Sequence, residues 1–435
     1  MTTKKTDPAA RAALFQDRNF RWLMTGSAIS LMGDQFTLLA LPWLVLRLTG
    51  DTVALGTVLA LVGIPRAVFI LVGGAVVDRF SPQRVLMLTK HVNLVLLALL
   101  ALGVWQGALT LPAIYALSLA LGISSAFSIP SGTSILPHAL APAQLGAANS
   151  VMMGLRQLSM FLGPLAAGVL IALFGDGSGG AQDAGGIAAA LALDALSFGL
   201  SAWTLAQVKL RALPADPARH APIWTSVVSG VRHVWDDAQL RTLYIYWGAV
   251  AVLVLGPLHI ALPVLAESRP GLGAQALGLM VGAHGAGTLL GMVISGLRPG
   301  LRIGTLGTSV LLADIVIGLL FVPLGGITAA WQGALLMVLV GVLGGFMQVS
   351  VFTWVQKRVP PAMLGRSMSL FMFIFMGLLP VASAAAGWLL QVVSLPQLFA
   401  GAGLLLVAAA VLAWVGTAIR GVDDAVVGGS LVGRE

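Results

Sequence analysis

Residues 20–46 read FRWLMTGSAISLMGDQFTLLALPWLVL, an apolar run whose middle holds a single carboxylate, Asp34. A helix that crosses the roughly 30 Å hydrocarbon core of a bilayer needs about 20 apolar residues, so this stretch is read as a membrane span. Eleven further runs of the same kind follow, near 53–77, 85–106, 111–136, 148–174, 186–208, 241–266, 276–297, 304–325, 331–354, 367–391 and 397–419. The composition agrees. Of 435 residues 58% are hydrophobic and 9% charged, with a mean hydropathy of +0.96. Soluble domains carry about 25% charged residues, which leaves no room for a water-soluble enzyme. The 53 Gly and 21 Pro lie largely within the apolar runs, where membrane helices tolerate them. There is no cysteine, so disulfides, thiolate metal sites and Cys nucleophiles are excluded. No cofactor is expected.

The net charge of +8 is a matter of topology. Lys4, Lys5, Arg11, Arg18 and Arg21 precede or open the first span. The even-numbered connections and the tail hold Arg79, Arg84, Lys90, Lys209, Arg211, Arg219, Arg232, Arg241, Arg298, Arg302, Lys357, Arg358, Arg366, Arg420 and Arg434. The opposite side has Arg47 and Arg269, while Arg66 and Arg156 fall inside spans. By the positive-inside rule both termini are cytoplasmic, in a cell (inner) membrane, and the basic excess calls for no nucleic acid. The N-terminus is not a cleavable signal, because its first apolar stretch is too long. Trp43, Trp105, Trp331 and Trp388 near the outer ends, and Trp22 near an inner one, are expected as interfacial anchors.

The longest polar break, about 209–240, divides the chain into six spans and six. The expected units are a first bundle (1–208), a cytoplasmic linker (209–240), a second bundle (241–420) and a tail (421–435). In the linker Trp224, Val227, Val228, Val231, Val234 and Trp235 recur near a 3.6 spacing, which predicts an amphipathic helix on the membrane surface. The halves repeat each other: PAQLGAANSVMM (142–153) and PAMLGRSMSLFM (361–372) both enter the fifth span of their half. An even number of spans per half makes this a parallel repeat about the membrane normal. The fold class is an all-α polytopic membrane protein, twelve helices in two pseudo-symmetric six-helix bundles.

Residues 74–84, GAVVDRFSPQR, match Gly, Asp and Arg of a 2–3 loop motif G-x-x-x-D-R-x-G-R-R/K at Gly74, Asp78 and Arg79, with Ser81, Pro82 and Gln83 in place of its later Gly and basic pair. With the 6+6 organisation and long central loop, the chain resembles the major facilitator superfamily over nearly its whole length. Gly33-Asp34-Gln35, Ala40-Leu41-Pro42-Trp43, Leu193-Asp194-Ala195-Leu196-Ser197-Phe198 and Leu364-Gly365-Arg366 are similar to its macrolide-efflux, drug:proton antiporter branch. The resemblance implies alternating access, with Gly74, Asp78, Arg79 and Arg84, and at the equivalent 8–9 loop Arg298 and Arg302, acting as a gate that stabilises the outward-facing state.

An ionisable group inside the bilayer costs at least ~2.5–3.5 kcal/mol at a helix centre and normally faces the bundle interior. Asp34 lies midway along its span with Ser27, Ser30 and Thr37 at helical spacing, on a polar stripe suited to line a cavity. It either takes and releases protons or is paired for good with Arg66 or Arg156. Those arginines either compensate Asp34 or attract an anionic group of a substrate. Asp194 shares a face with Ser197, Ser201 and Thr204, read as nearer the outer surface, for proton coupling or for hydrogen bonding within the half. His259, between Pro257 and Pro263, is a second titrating candidate or a piece of pore wall. Asp314 and His284 are read as structural. Gly163, Pro164 and Gly168 partly match an antiporter motif in which glycines bring the fifth helix close to a neighbour. Met153, and in the eleventh span Met372 and Phe375, suit either a pocket for varied apolar molecules or ordinary lipid-facing and core packing.

No HExxH, GxSxG, P-loop or dinucleotide fingerprint is found in context, so the chain is not expected to be an enzyme. The function expected is proton-coupled export of hydrophobic or amphipathic compounds such as drugs, by a monomer embedded in lipid. The alternative is dedicated export or flipping of a natural amphiphile such as a lysophospholipid or a siderophore, and a further alternative is a transport-dead sensor.

Overall fold

The computed structural model describes residues 14–176, 184–210, 223–298 and 300–423, without the side chains of 70–75, 78, 223–227, 229–230, 361–362, 364–366, 369, 372 and 375–376. Twelve long helices fill the described chain. They are α1 (Arg18–Thr49), α2 (Thr52–Phe80), α3 (Pro82–Trp105), α4 (Leu111–Ala139), α5 (Leu145–Phe174) and α6 (Gly185–Ala206). After the linker come α7 (Ala238–Ser268), α8 (Gly273–Leu297), α9 (Leu306–Leu324), α10 (Ala330–Arg358), α11 (Pro361–Leu389) and α12 (Leu395–Gly416). Eleven are apolar over enough length to cross a bilayer on their described residues alone, and α11, 29 residues long, completes the set. The repeat segments open α5 and α11, and the amphipathic linker helix spans Ile223–Asp236.

Local chemistry sets the ends of these helices. Asp17 caps α1 by accepting from the Phe20 amide at 3.1 Å, and Gly50 ends it in the left-handed conformation (φ 62°) that glycine adopts without strain. Asp51 then caps α2 through the Val53 amide at 2.8 Å. Between α2 and α3 there is only Ser81, at φ 84°. This is the position where the family motif has glycine, and the observed backbone explains why glycine suits it. Gln83, where the motif has a basic residue, donates to the Leu205 and Val208 carbonyls at 3.0 Å each. A neutral amide thus closes the end of α6 in place of a cation.

The helices pack most closely as α8 with α10, α2 with α4, α3 with α6 and α1 with α6, and across the halves as α5 with α8 and α2 with α11. Glycines make the cross-half seams. A Cβ on Gly278 (α8) would lie 2.4 Å from the Pro164 carbonyl oxygen and 2.9 Å from Gly168 Cα (α5). On the other seam a Cβ on Gly387 (α11) would lie 2.5 Å from the Thr52 carbonyl (α2), and Thr52 Oγ1 donates to the Gly387 carbonyl at 2.8 Å. The glycine motif of α5 therefore does meet a neighbour closely, and most of the small residues are on the partner, α8.

The α2–α11 seam lies towards one end of the molecule, while the α5–α8 seam continues to mid-membrane, where a Cβ on Gly285 would lie 2.4 Å from the Met160 carbonyl oxygen and Gln157 Nε2 donates to Met292 Sδ at 3.0 Å. We call the face that carries Asp17 and Val422 the terminal face and the opposite one the far face. At the far face a single hydrophobic core runs through both halves, joining Leu41, Trp43 and Ile171 to Leu258, Leu265, Phe321 and Phe399. At the terminal face there are two separate cores. One, with Leu14, Phe20 and Leu136, belongs to the first six helices, and the other, with Tyr244, Trp354 and Phe371, to the last six. The central helices show the same change along their length. In α1 the residues Leu39–Leu46 are all buried, while Asp34 and Leu38 are exposed. The halves are thus closed on each other at the far face and parted at the terminal face.

Two expectations change. Trp43 is fully buried rather than interfacial: its Nε1 donates to the Asp176 carbonyl at 3.0 Å and its ring carries the Arg47 guanidinium. Trp105, Trp331 and Trp388 are 81%, 65% and 64% exposed, as anchors should be. Lys90 is not in a loop. It lies within α3, 8% exposed, and donates to Ser201 Oγ at 2.6 Å.

Candidate functional site

The polar groups at mid-membrane come mainly from the first six helices. Asp34 is near the middle of α1, and its stripe divides in two. Ser30, Gly33 and Thr37 turn towards α6, whereas Asp34 and Leu38 turn to the open side. Gly33 permits the contact with α6, since a Cβ there would lie 2.1 Å from Ser197 Oγ and 2.5 Å from Asp194 Oδ1. Asp194 therefore stands at the level of Asp34 rather than near the outer surface. It is 1% exposed and accepts from Thr37 Oγ1 and, at 3.1 Å, from Ser197 Oγ. Lys90 completes this α1–α3–α6 seam through Ser201, which passes a 2.7 Å hydrogen bond to the Gly26 carbonyl, and the ammonium lies 5.6 Å from the Phe198 ring.

Asp34 sits where three cations act on it: Lys90, Arg156 and Arg66. Arg66 follows Pro65 in α2. A proline cannot bond to the carbonyl four residues back, here that of Leu61, and α4 fills the space through Gly122, whose added Cβ would lie 2.7 Å from that oxygen. Arg66 also acts electrostatically on His259 of α7 in the other half. Arg156 is exposed on α5 with Met153 and Met160, 67% and 39% exposed, at helical spacing on one face. Arg156 acts electrostatically on Asp34, and α5 packs against α1. Among the described residues neither arginine forms a hydrogen bond or an ion pair, and Arg66 Nε is buried without a partner.

The second half supplies less charge. His259 is half-buried beyond a widened turn at Ala251–Leu255, which relieves the clash that Pro257 brings to a regular helix. Asp314 is 6% exposed and accepts from the Tyr246 hydroxyl at 2.7 Å, which makes it part of the bundle's packing. Phe371 is buried among Tyr244, Trp247 and Phe352. The side chains of Met372 and Phe375 lie outside the described residues. The sequence reading missed Lys90, although its number falls inside the third apolar run.

At the terminal face Arg79, Arg84 and Arg298 are exposed. Among the described residues Arg79 makes no ion pair and stacks 5.6 Å from Phe80. Arg302 pairs with Asp423 at 3.6 Å within its own half. Gly74 and Asp78 have helical backbone, and their side chains are outside the described set. At the far face Arg47 of α1 pairs with Asp176 at 3.1 Å and, across the halves, with Glu267 of α7 at 3.4 Å. Gln391 reaches Asp51 at 3.1 Å and Thr52 at 3.0 Å. Among the described residues no group of acids and histidines is arranged to hold a metal.

Comparison with known proteins places this arrangement. The chain is 25% identical over 355 residues to an enterobactin exporter, EntS, of Escherichia coli (strain UTI89 / UPEC), covering 80% of this chain and 79% of that one. It is 27% identical over 229 residues to the multidrug efflux pump Tap of Mycobacterium tuberculosis (strain ATCC 25618 / H37Rv), covering 51% of this chain and 52% of Tap. The match thus spans about half the length of Tap. Among solved structures, the nucleoside transporter NupG superposes with a TM-score of 0.69 at 15% identity, covering 91% of this chain and 98% of NupG. A D-xylose–proton symporter gives 0.64 at 13%, covering 91% and 97%. Both show the fold. The family model of the Major Facilitator Superfamily matches residues 23–383, and the chain belongs to that superfamily.

Proposed function

We propose that the protein is a secondary transporter that exports amphipathic compounds in exchange for protons, with Asp34 as the proton site. The observation that carries this reading is an exposed carboxylate at mid-membrane, facing a cavity open at one face and sealed at the other. The charges around it are Lys90, Arg66, Arg156 and Asp194, with His259 beyond Arg66. A carboxylate there exchanges its proton for cargo when the cavity opens to one side, and takes another when the halves rock to the other. With the terminal face cytoplasmic by the positive-inside rule, the arrangement is the cargo-loading state. The likeness to Tap and EntS supports export and an amphipathic cargo of either a drug or a natural product. In this reading the arginines of the 2–3 and 8–9 loops form the gate of the opposite state.

The test uses proteoliposomes with an internal pH dye and an imposed proton gradient, and a panel of ethidium, erythromycin, a lysophospholipid and enterobactin. Wild type should show proton movement triggered by cargo, and Asp34→Asn should lose it while remaining folded. Flux that persists equally in both, without proton movement, would make the protein a facilitator or flippase and Asp34 structural.

A further inference from the structure

We infer that the cargo is zwitterionic, its cationic group replacing the proton at Asp34 and its anionic group resting on Arg66 and Arg156. This rests on the exporter reading above and names its substrate class. The charges of the seam are already engaged. Lys90 is held by Ser201, Asp194 is held by Thr37 and Ser197, and the two have opposite sign. Lys90 also acts on Asp34, but its ammonium is engaged by Ser201; the two guanidiniums that act on Asp34 beside it form no hydrogen bond or ion pair among the described residues, and Arg66 Nε is buried without a partner. A guanidinium offers a planar fork of donors that suits a carboxylate or phosphate. Leaving its buried Nε unpaired is costly unless an anion arrives.

The sign of the coupling fixes the other end of the cargo. A purely anionic molecule would compete with ionised Asp34 for the arginines, so it would bind best when Asp34 is protonated, and cargo and proton would travel together. A purely cationic molecule would release the proton but would meet two uncompensated guanidiniums. Only a molecule with both charges displaces the proton and satisfies the arginines. The second half adds no competing acid at this level, since Asp314 is taken by Tyr246. The exposed Met153, Met160 and Leu38 provide apolar wall for the rest of the molecule.

A naphthylalanine series isolates the head-group charge on one scaffold: the free amino acid (zwitterion), its amide (cation), its N-acetyl form (anion) and the N-acetyl amide (neutral). Binding is read by competition in detergent, and exchange by the pH dye in proteoliposomes. The zwitterion should bind best and release protons. Arg66→Gln should weaken it about ten- to a hundredfold, the loss of one charge-assisted hydrogen bond, with little effect on the amide. Arg66→Lys should recover part of the loss, which guards against misfolding, and Arg156→Gln should act in the same direction. If the amide binds as well as the zwitterion, or Arg66→Gln weakens all four alike, the assignment is overturned although export stands. Cargo flux from the wider panel with no Asp34-dependent proton movement would instead overturn the exporter reading. No binding by any of the four also overturns the assignment.

Discussion

The two ends of the molecule are built on opposite principles. At the far face one core crosses both halves, glycines bring backbone against backbone, and Trp43 is sealed in by Arg47 and Asp176. At the terminal face each half keeps its own core, and Arg79, Arg84 and Arg298 are exposed. Sequence symmetry between the halves is therefore no guide to which end is closed. Closure depends on where small residues from the two halves coincide, and here they coincide from the far face to mid-membrane.

The largest expected effect comes from breaking that coincidence. Gly278→Ala puts a Cβ 2.4 Å from a backbone oxygen of α5. It should cost about 1–3 kcal/mol, as overpacking does, lower the melting temperature and slow transport. Gly132→Ala, on an exposed part of α4 with nothing within 4 Å, should be neutral or stabilising by up to about 1 kcal/mol through helix propensity. Equal losses at both sites would show that the far-face seam is not special.

Next is Ser81→Gly. A non-glycine residue at φ 84° carries strain, and its release should stabilise the protein by about 1 kcal/mol, visible as a higher melting temperature. The latch at the far face should have a smaller effect. Arg47 and Glu267 are part-exposed, and such pairs contribute about 0–1 kcal/mol. Glu267→Gln should raise the far-open population by up to about fivefold, measured as spin-label distances across that face, without unfolding the protein.

The smallest effect is a pH dependence at the terminal face. Asp237 is part-buried, which alone would raise its carboxyl. Arg358, bonded at 2.9 and 3.3 Å, and the Leu240 and Gln239 amides outweigh that and hold it below the ordinary carboxylate value. A depressed folded-state value means that the stabilisation is present above the unfolded value of about 4 and is lost as pH falls through the folded one. Wild type should therefore lose a stability increment below about pH 4 that Asp237→Asn lacks, as read from melting against pH.

The spans, their order and the linker helix were legible in the sequence because each rests on hydrophobic length or period, which are local properties. Asp34 was legible for the same reason, as one acid in an apolar run. The facing of Ser30 and Thr37 was not, since helical spacing fixes neighbours to within a turn but not which partner helix they meet. Lys90 reads as a loop cation because a charge near a span's end signals topology, and only the Ser201 and Asp194 of a distant helix show that it is buried. Trp43 looked like an anchor by depth, and the core that covers it comes from both halves. Gln83 as a cap for α6 required the Leu205 and Val208 carbonyls, more than a hundred residues away.

In the export reading Asp34 faces a cavity that opens at the terminal face, expected to be cytoplasmic by the positive-inside rule, and is shut at the far face. The chain has no cysteine, so Leu38→Cys, one turn from Asp34, reports on that cavity without background. A membrane-impermeant maleimide should label it rapidly in inside-out vesicles and slowly in intact spheroplasts. Rapid labelling from the outside, or none from either side, would contradict the account.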